Sequence, residues 1–311
     1  MVTVLYDLVI VGAGPAGLTA GIYAARKRMK TAVLSENVGG QTLWSGLVEN
    51  YLGYQVITGS ELASKFREHL KNYGDIIELR EGEKVVRVSR SQDEKSFSTV
   101  TSNGETFISR TLIIASGRVP KSLGVPGEAE FRNKGVTYCA TCDGPLFSGK
   151  NVAVIGGGNA ALDAAIQLTK IASKVFIINA NAQLSGDEIL KEKVVNSSNV
   201  EVINNAMTTE IFGDKFVSGI KMAVGGSPER DIAVEGVFVE IGSSAVSSIV
   251  PDVAKNDRGE IIVDCAVNTS IPGLFAAGDV TSVPEKQIIV AAGEGAKAAL
   301  AAFRHLVRTR Q

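Results

Sequence analysis

The stretch Tyr138-Cys139-Ala-Thr-Cys142-Asp143-Gly144-Pro145 holds the residues best suited to chemistry. Two cysteines at i and i+3 in a turn or helix start bring their Cα atoms into the range a disulfide requires. Such a pair tends to have one thiol of lowered pKa, and the thiolate is the reactive species. Asp143 adjoins the pair and can supply or accept the proton when a thiolate leaves or attacks; capping the following turn is a compatible second role. A structural zinc site needs about four Cys or His ligands. Only Cys265, His69 and His305 remain, far apart in the chain, so no metal is expected. Haem attachment wants His after the second cysteine, where Asp143 stands. Two inert buried cysteines are the plain alternative. A redox-active pair is favoured because of the elements around it.

Those elements repeat. Leu8-Val-Ile-Val-Gly-Ala-Gly-Pro-Ala-Gly17 precedes a helical pattern to about Arg28 and then Lys30-Thr-Ala-Val-Leu34. Asn151-Val-Ala-Val-Ile-Gly-Gly-Gly-Asn-Ala-Ala161 precedes a helical pattern to about Ala172 and then Lys174-Val-Phe-Ile-Ile178. Gly12 to Leu34 and Gly156 to Ile178 both span 22 positions. One glycine-rich turn is weak evidence, but two in matched strand–turn–helix–strand settings are strong. In such units the first glycine allows the tight turn, the second lets backbone approach a pyrophosphate, and the third lets helix and strand pack closely. Two dinucleotides, or one and a vestigial second site, follow. In the first copy Glu36 lies 19 residues after Gly17, where a carboxylate accepts from ribose hydroxyls. The same offset in the second copy lands on Ala180, within Asn179-Ala-Asn-Ala-Gln183, with no acid and no arginine for a 2′-phosphate.

Between the repeats, Glu83–Val88, Phe97–Thr101, Thr106–Ser109 and Thr111–Ala115 read as short strands, with Asn103-Gly104 as a hairpin turn. Val200–Ile203, Val217–Ala223, Gly236–Ile241 and Glu260–Val263 read as later strands, and a small-residue helix is predicted from about Lys286 to Val307. Cys265 falls in an alternating run and reads as a small buried hydrophobe. His69 and His305 read as surface or packing residues, and Trp44 either covers a cofactor or simply packs. The 33 glycines in 311 residues, about one in nine, exceed the usual ~7%. A net charge of −1 gives no general attraction to nucleic acid or anionic lipid, and 45% hydrophobic residues exclude intrinsic disorder. Three cysteines cannot form a disulfide framework. The N-terminus reads as a first strand rather than a signal peptide, and no run approaches the ~20 apolar residues of a membrane span. A cytoplasmic protein is expected.

With the repeats and the cysteine pair in hand, the chain resembles the low-molecular-weight thioredoxin reductases, and is similar to the flavoprotein module of alkyl hydroperoxide reductases. The motifs are Gly12-Ala-Gly-Pro-Ala-Gly17, Gly39-Gly-Gln41, Glu49-Asn50-Tyr51, Ile114-Ala-Ser-Gly117, Cys139–Cys142, Gly156-Gly-Gly-Asn159 and Gly278-Asp279. The tail Lys286-Gln-Ile-Ile289 with Gly293-Glu-Gly-Ala-Lys297 looks closest to the peroxide-reductase module. The resemblance implies an α/β fold of two Rossmann-like three-layer dinucleotide-binding domains, the second inserted in the first. It implies an FAD domain from 1–116 and 245–311, and an NAD(P)-binding-like domain at 117–244 carrying the redox pair. FAD contacts are implied for Gly12, Gly14, Pro15, Ala16, Gly17, Glu36, Gly40, Gln41, Asn50, Ala115, Gly117, Gly278, Asp279, Lys286, Gln287 and Ile288. The second nucleotide site is implied at Gly156, Gly158, Asn159, Ala160, Asn179 and Asn181. Reduced flavin then passes two electrons to the disulfide, and the dithiol reduces thioredoxin or a thioredoxin-like partner. Cys142 is implied to be nearer the flavin and Cys139 the more available for exchange. A homodimer and two alternating domain orientations are implied as well, with Gly117–Pro120 and Gly242–Ser244 as the crossings.

The sequence departs from the family where NADPH would be read. Typical members carry a His-Arg-Arg run and a further Arg, and Asn179-Ala-Asn181 and Ser185 stand there instead. NADPH is disfavoured, NADH is left open without its usual acid, and a protein donor such as ferredoxin is a further option. A flavin-dependent dithiol oxidase using dioxygen and a reductase of a peroxiredoxin system are the alternative activities.

Overall fold

The computed structural model describes residues 4–45, 47–91 and 95–309; the side chain of Trp44 lies outside this description. The chain forms two compact units. The first comprises residues 4–43, 51–119 and 244–309, and the second 120–243 together with the 44–50 stretch. That stretch was expected in the FAD domain, and it takes Asn50 with it. Val48, within it, is buried.

The first unit begins with β1 (Leu5–Ala13), α1 (Pro15–Arg26) and β2 (Thr31–Val38), followed by α2 (Gly59–Lys71), β3 (Ile77–Glu81), β4 (Val85–Arg90), β5 (Phe97–Thr101) and β6 (Thr106–Ile114). The second holds β7 (Val136–Thr137), α3 (Ala140–Asp143), β8 (Asn151–Ile155), α4 (Asn159–Leu168), β9 (Lys174–Ile178), α5 (Glu188–Val195), β10 (Val200–Ile203), β11 (Ala206–Gly213), β12 (Val217–Val224), β13 (Arg230–Ile232) and β14 (Gly236–Val239). The chain then returns to the first unit with β15 (Leu274–Ala276) and α6 (Ile288–Thr309).

The first sheet runs β3-β2-β1-β6-β5-β4, and β15 also pairs with β6. β1 is parallel to β2 and β6, which suits its nearly unbroken apolar run. Alternation along β1 feeds two cores. Leu8 and Ile10 pack with the alanines of α1 and α6, while Val9 and Val11 face a second cluster with Leu112, Ile249 and Ile261. The second sheet runs β7-β14-β8-β9-β10, all parallel. Val152 and Val154 pack beneath α4, and Ala153 and Ile155 meet the antiparallel sheet β11-β12-β13.

The internal repeat is structural. Val11 pairs with Leu34 just before Gly12, and Ile155 with Ile178 just before Gly156. Helix α1 opens with Pro15 at its first turn, where no amide partner is lost, and α2 opens with a Thr58–Glu61 capping box. The expected strand at Glu260–Val263 is absent: Ile261 makes only isolated bridges to Lys255 and Thr281. Cys265 is exposed rather than buried. Asp264 Oδ1 accepts the N–H groups of Ala266 and Asn268, both at 2.9 Å, which folds the segment into a turn. No helix among the described residues is long and apolar enough to cross a membrane.

Candidate redox site and nucleotide-binding turns

β7 ends at Thr137, and the chain turns through Cys139 into the four-residue α3. Cys139 and Cys142 form a disulfide with Cα atoms 5.3 Å apart. The Cys142 N–H donates to Cys139 Sγ at 3.2 Å. The Cys139 N–H donates to Thr137 Oγ1 at 3.3 Å, and that hydroxyl donates in turn to Asp143 Oδ2. Asp143 is buried, and its other oxygen, Oδ1, has no hydrogen-bond partner. Burial pushes its carboxyl above the usual carboxylate range, and the Thr137 hydroxyl only partly opposes this. The turn therefore sets a proton-holding group beside a disulfide whose first sulfur already accepts an amide hydrogen bond.

At the first glycine turn, the outer glycines serve the protein's own packing. A Cβ on Gly12 would lie 2.3 Å from the Ala115 carbonyl oxygen, and one on Gly17 would lie 1.8 Å from that of Gly12. A Cβ on Gly14 would meet nothing within 4 Å. Gly14 is the N-cap of α1 and brings no side-chain cap. An open backbone at an uncapped helix N-terminus fits a pyrophosphate, so the residues present suit FAD. Ala16 is buried under this turn. Gly40, at φ +56°, closes over it: its Cβ would lie 3.2 Å from Gly14 Cα. Gln41 Nε2 donates to the Arg118 carbonyl at 2.7 Å. Glu36 sits exposed near the end of β2, 3.5 Å from Lys84.

The C-terminal part of the chain brings to this unit a charge cluster that sequence reasoning missed in part. Glu260 is buried, paired with Arg118 and, at 3.3 Å, with Lys286. Lys286 Nζ also donates to the Thr281 carbonyl at 2.6 Å. Burial would raise the Glu260 pKa, but Asn256, Lys286 and Arg118 together hold it below the usual range. The same two cations oppose the burial that raises Asp279. Glu294, also buried, accepts the Gly278 N–H at 2.6 Å, and burial raises it. Gln287 offers its carbonyl to the Ala291 N–H at the head of α6, which Ile288 opens. Gly117, at φ +70°, accepts the Val246 N–H at 3.0 Å.

The second glycine turn is built alike but furnished differently. A Cβ on Gly156 would lie 2.4 Å from the Glu240 carbonyl oxygen, and one on Gly157 would lie 2.3 Å from Asn179 Oδ1. Gly158 caps α4 without a side-chain bond, and Ala160 is exposed in its first turn. Asn159 is tied to Asp187: its Oδ1 accepts the Asp187 N–H at 2.7 Å. Asn179 is buried and spends its amide on the loop, donating to the Asn181 carbonyl at 3.0 Å and to Asn204 Oδ1 at 2.8 Å. Its side chain is thus committed inward, while Ala180 and Asn181 are exposed. Ser185, where the family's further arginine would stand, bonds back to the Gly157 carbonyl. The first cation downstream, Lys191, is paired with Glu188 at 2.5 Å.

Paired Rossmann-type units, one bearing a disulfide on a strand-end turn, define a nucleotide-linked disulfide oxidoreductase. In agreement with this, residues 6–295 match the family described as pyridine nucleotide-disulphide oxidoreductase, and the chain belongs to it. The F component of the alkyl hydroperoxide reductase of Pseudomonas putida is 45% identical over 98% of this chain and 59% of that protein. A Bacillus subtilis protein named NADH dehydrogenase is 42% identical over 97% of this chain and 59% of its own length. The chain therefore spans about three-fifths of these relatives. A thioredoxin reductase from Streptococcus pyogenes superposes with a TM-score of 0.92 at 35% identity, covering 98% of this chain and 99% of that one.

Proposed function

We propose that the protein is an FAD-dependent disulfide reductase in which Cys139–Cys142 is the redox-active pair serving a thioredoxin-fold protein. The observation that carries this reading is the disulfide on the α3 turn, with Asp143 buried beside it. FAD, when bound, supplies two-electron exchange with a disulfide. Gly14 and the α1 N-terminus would hold its pyrophosphate and Glu36 its ribose. Gly40, Gln41, Ala115, Gly117, Gly278, Asp279 and the Lys286–Ile288 segment would hold the remainder.

The residues of the redox turn divide the work. The Cys142 N–H already directed at Cys139 Sγ stabilises negative charge there, so Cys139 is the thiolate that exchanges with a partner. Asp143 keeps its proton above the usual carboxylate range and delivers it to a leaving thiolate. The 117–244 domain, with crossings near Gly117–Pro120 and Gly242–Ser244, would carry the pair. NADH is the favoured nucleotide over NADPH: Asn179 is locked inward and no cation stands at 179–187. The relative named NADH dehydrogenase supports this choice. Similarity to the alkyl hydroperoxide reductase component favours, as a second reading, a partner within a peroxiredoxin system.

Anaerobic titration of the flavin-loaded protein with NADH and with NADPH, using dithionite as control, tests the donor. Bleaching of the flavin band by NADH alone is expected, and equal bleaching by NADPH overturns the donor assignment. Cys139→Ser and Cys142→Ser should each retain flavin and lose disulfide reduction. Full activity in both variants would sink the redox-pair reading.

A further inference from the structure

Three neighbouring strands of the second sheet end side by side. Thr137 of β7 pairs with Phe238 of β14, and Phe238 pairs with Val154 of β8. Two residues further along each chain lie Cys139, Glu240 and Gly156. Glu240 therefore stands between the first cysteine of the redox turn and the first glycine of the second nucleotide turn. Its N–H donates to the Ile155 carbonyl at 2.8 Å, and its own carbonyl packs against Gly156. Strand alternation sets the side-chain direction. Val237 and Val239 enter the core shared with β11 and β12, whereas Phe238 enters the core with Ala140 and α4. Glu240 follows Phe238 onto the α3–α4 face. There the backbone N–H of Ala140, the first residue of α3, is directed at its carboxylate.

We propose that Glu240 is a positioning residue for the redox turn, and that its own charge state sets the ionisation of the Cys139–Cys142 dithiol. This rests on the disulfide-reductase reading above. Burial pushes the Glu240 carboxyl up to about 8, and the Ala140 amide offsets only part of that rise. At neutral pH the group is protonated and uncharged, so one thiol can ionise without a like charge beside it. Above about 8 it becomes a carboxylate, and the thiolate is disfavoured. The coupling is reciprocal: a thiolate on the turn makes Glu240 hold its proton more tightly.

Other ionisable groups on the packed elements are accounted for. Asp143 lies on α3 and is bonded to Thr137. Tyr138, just past β7, donates to Glu128. Asp163 on α4 is exposed, and Lys221 on β12 pairs with Glu210. None of them contributes to the Glu240 shift, whose causes are burial and the Ala140 amide.

The test uses the flavin-loaded protein reduced with a water-soluble phosphine. The phosphine supplies the electron pair that breaks the S–S bond and leaves as its oxide, with water providing the oxygen and the protons. Brief iodoacetamide pulses between about pH 6 and about pH 10 then label the free thiolates. Peptide mass spectrometry reads Cys139 and Cys142 separately from the exposed Cys265. The wild-type labelling rate should rise with pH and flatten near 8 as Glu240 ionises. Glu240→Gln keeps the shape and an acceptor for Ala140 but cannot ionise. It should match wild type near pH 6 and label about three- to tenfold faster near pH 9, tenfold being one unit of thiol pKa. Superimposable profiles, or a uniform slowing at every pH, overturn the proposal. Should Glu240→Gln fail to fold, the wild-type profile decides: a profile described by one thiol ionisation overturns it, and a second step near 8 that shifts in Glu240→Asp sustains it. The pulse needs neither electron donor nor partner, so its failure is distinguishable from failure of the reductase reading.

Discussion

Replacing Glu260 with glutamine removes one negative charge from a pocket that holds two cations. Glu260 is 5% exposed, and Asn256 Nδ2 donates to it at 2.7 Å. Glutamine keeps the shape but takes the Glu260 charge away from Arg118, 11% exposed, and Lys286, 25% exposed. Removing one partner of a buried ion pair costs about 3–5 kcal/mol. Lys286 retains the Thr281 carbonyl and some water, so the low end, about 3 kcal/mol, applies here. For a unit of this size each kcal/mol moves the melting temperature by roughly 2–4 °C, so the first unit should melt about 6–12 °C lower. The effect must also depend on pH. Glu260 is held below its unfolded value, so its stabilisation is complete above the unfolded carboxylate pKa of about 4.3 and is lost as pH falls through the folded value. Scanning calorimetry of wild type and Glu260→Gln, at neutral pH and in steps toward about pH 3, is the assay. A neutral-pH loss below about 2 °C, or a gap that does not close in acid, refutes the reasoning.

Other expectations follow from the same geometry. Gly14→Ala should fold with an unchanged melting temperature yet bind flavin about tenfold or more weakly, because its Cβ would enter the open space proposed above for the pyrophosphate. Gly17→Ala, which collides with the Gly12 carbonyl, should lose soluble folded protein instead; equal behaviour of the two variants, followed by circular dichroism and flavin absorbance, would count against this division. Asp143→Asn should lower steady-state disulfide reduction by about a hundredfold. It should also erase the wild-type loss of rate as pH rises through the raised Asp143 pKa, and an unaltered pH profile would remove Asp143 from the proton path. Arginines at Ala180 and Asn181, both exposed, should raise the NADPH-to-NADH ratio of flavin bleaching about tenfold or more, and an unchanged ratio would relocate the specificity site.

The features legible in the sequence are those written locally. The matched 22-residue spacing of the glycine units fixes strand, turn, helix and strand in order, and the register Val11–Leu34 repeats as Ile155–Ile178. The cysteine spacing likewise implies its own bond. What stayed hidden depends on partners distant in sequence. Nothing near Arg118 announces that Glu260 will reach it, and nothing near Gly278 announces Glu294. Glu240 left only a faint signal, a carboxylate closing the apolar run Gly236–Val239. Cys265 misled because its alternating neighbours mimic a strand, while Asp264 draws the backbone into a turn that no periodicity records. The 44–50 stretch grouped with the second unit because packing, not chain order, assigns it.

The close approach of α6 to α1 has a consequence for how the chain is made. A Cβ on Gly295 would lie 2.0 Å from the Ala16 carbonyl, so the two helices meet backbone to backbone with no room for a substitute. α1 is complete by residue 26, but the helix that covers it begins only at Ile288. During synthesis the side of α1 that meets α6 therefore stays uncovered by it while residues 120–243 emerge as one uninterrupted stretch and can fold first. The inserted unit is then the early-maturing part of the molecule. The glycine turn at Gly12 gains its final support only when the ribosome has passed α6.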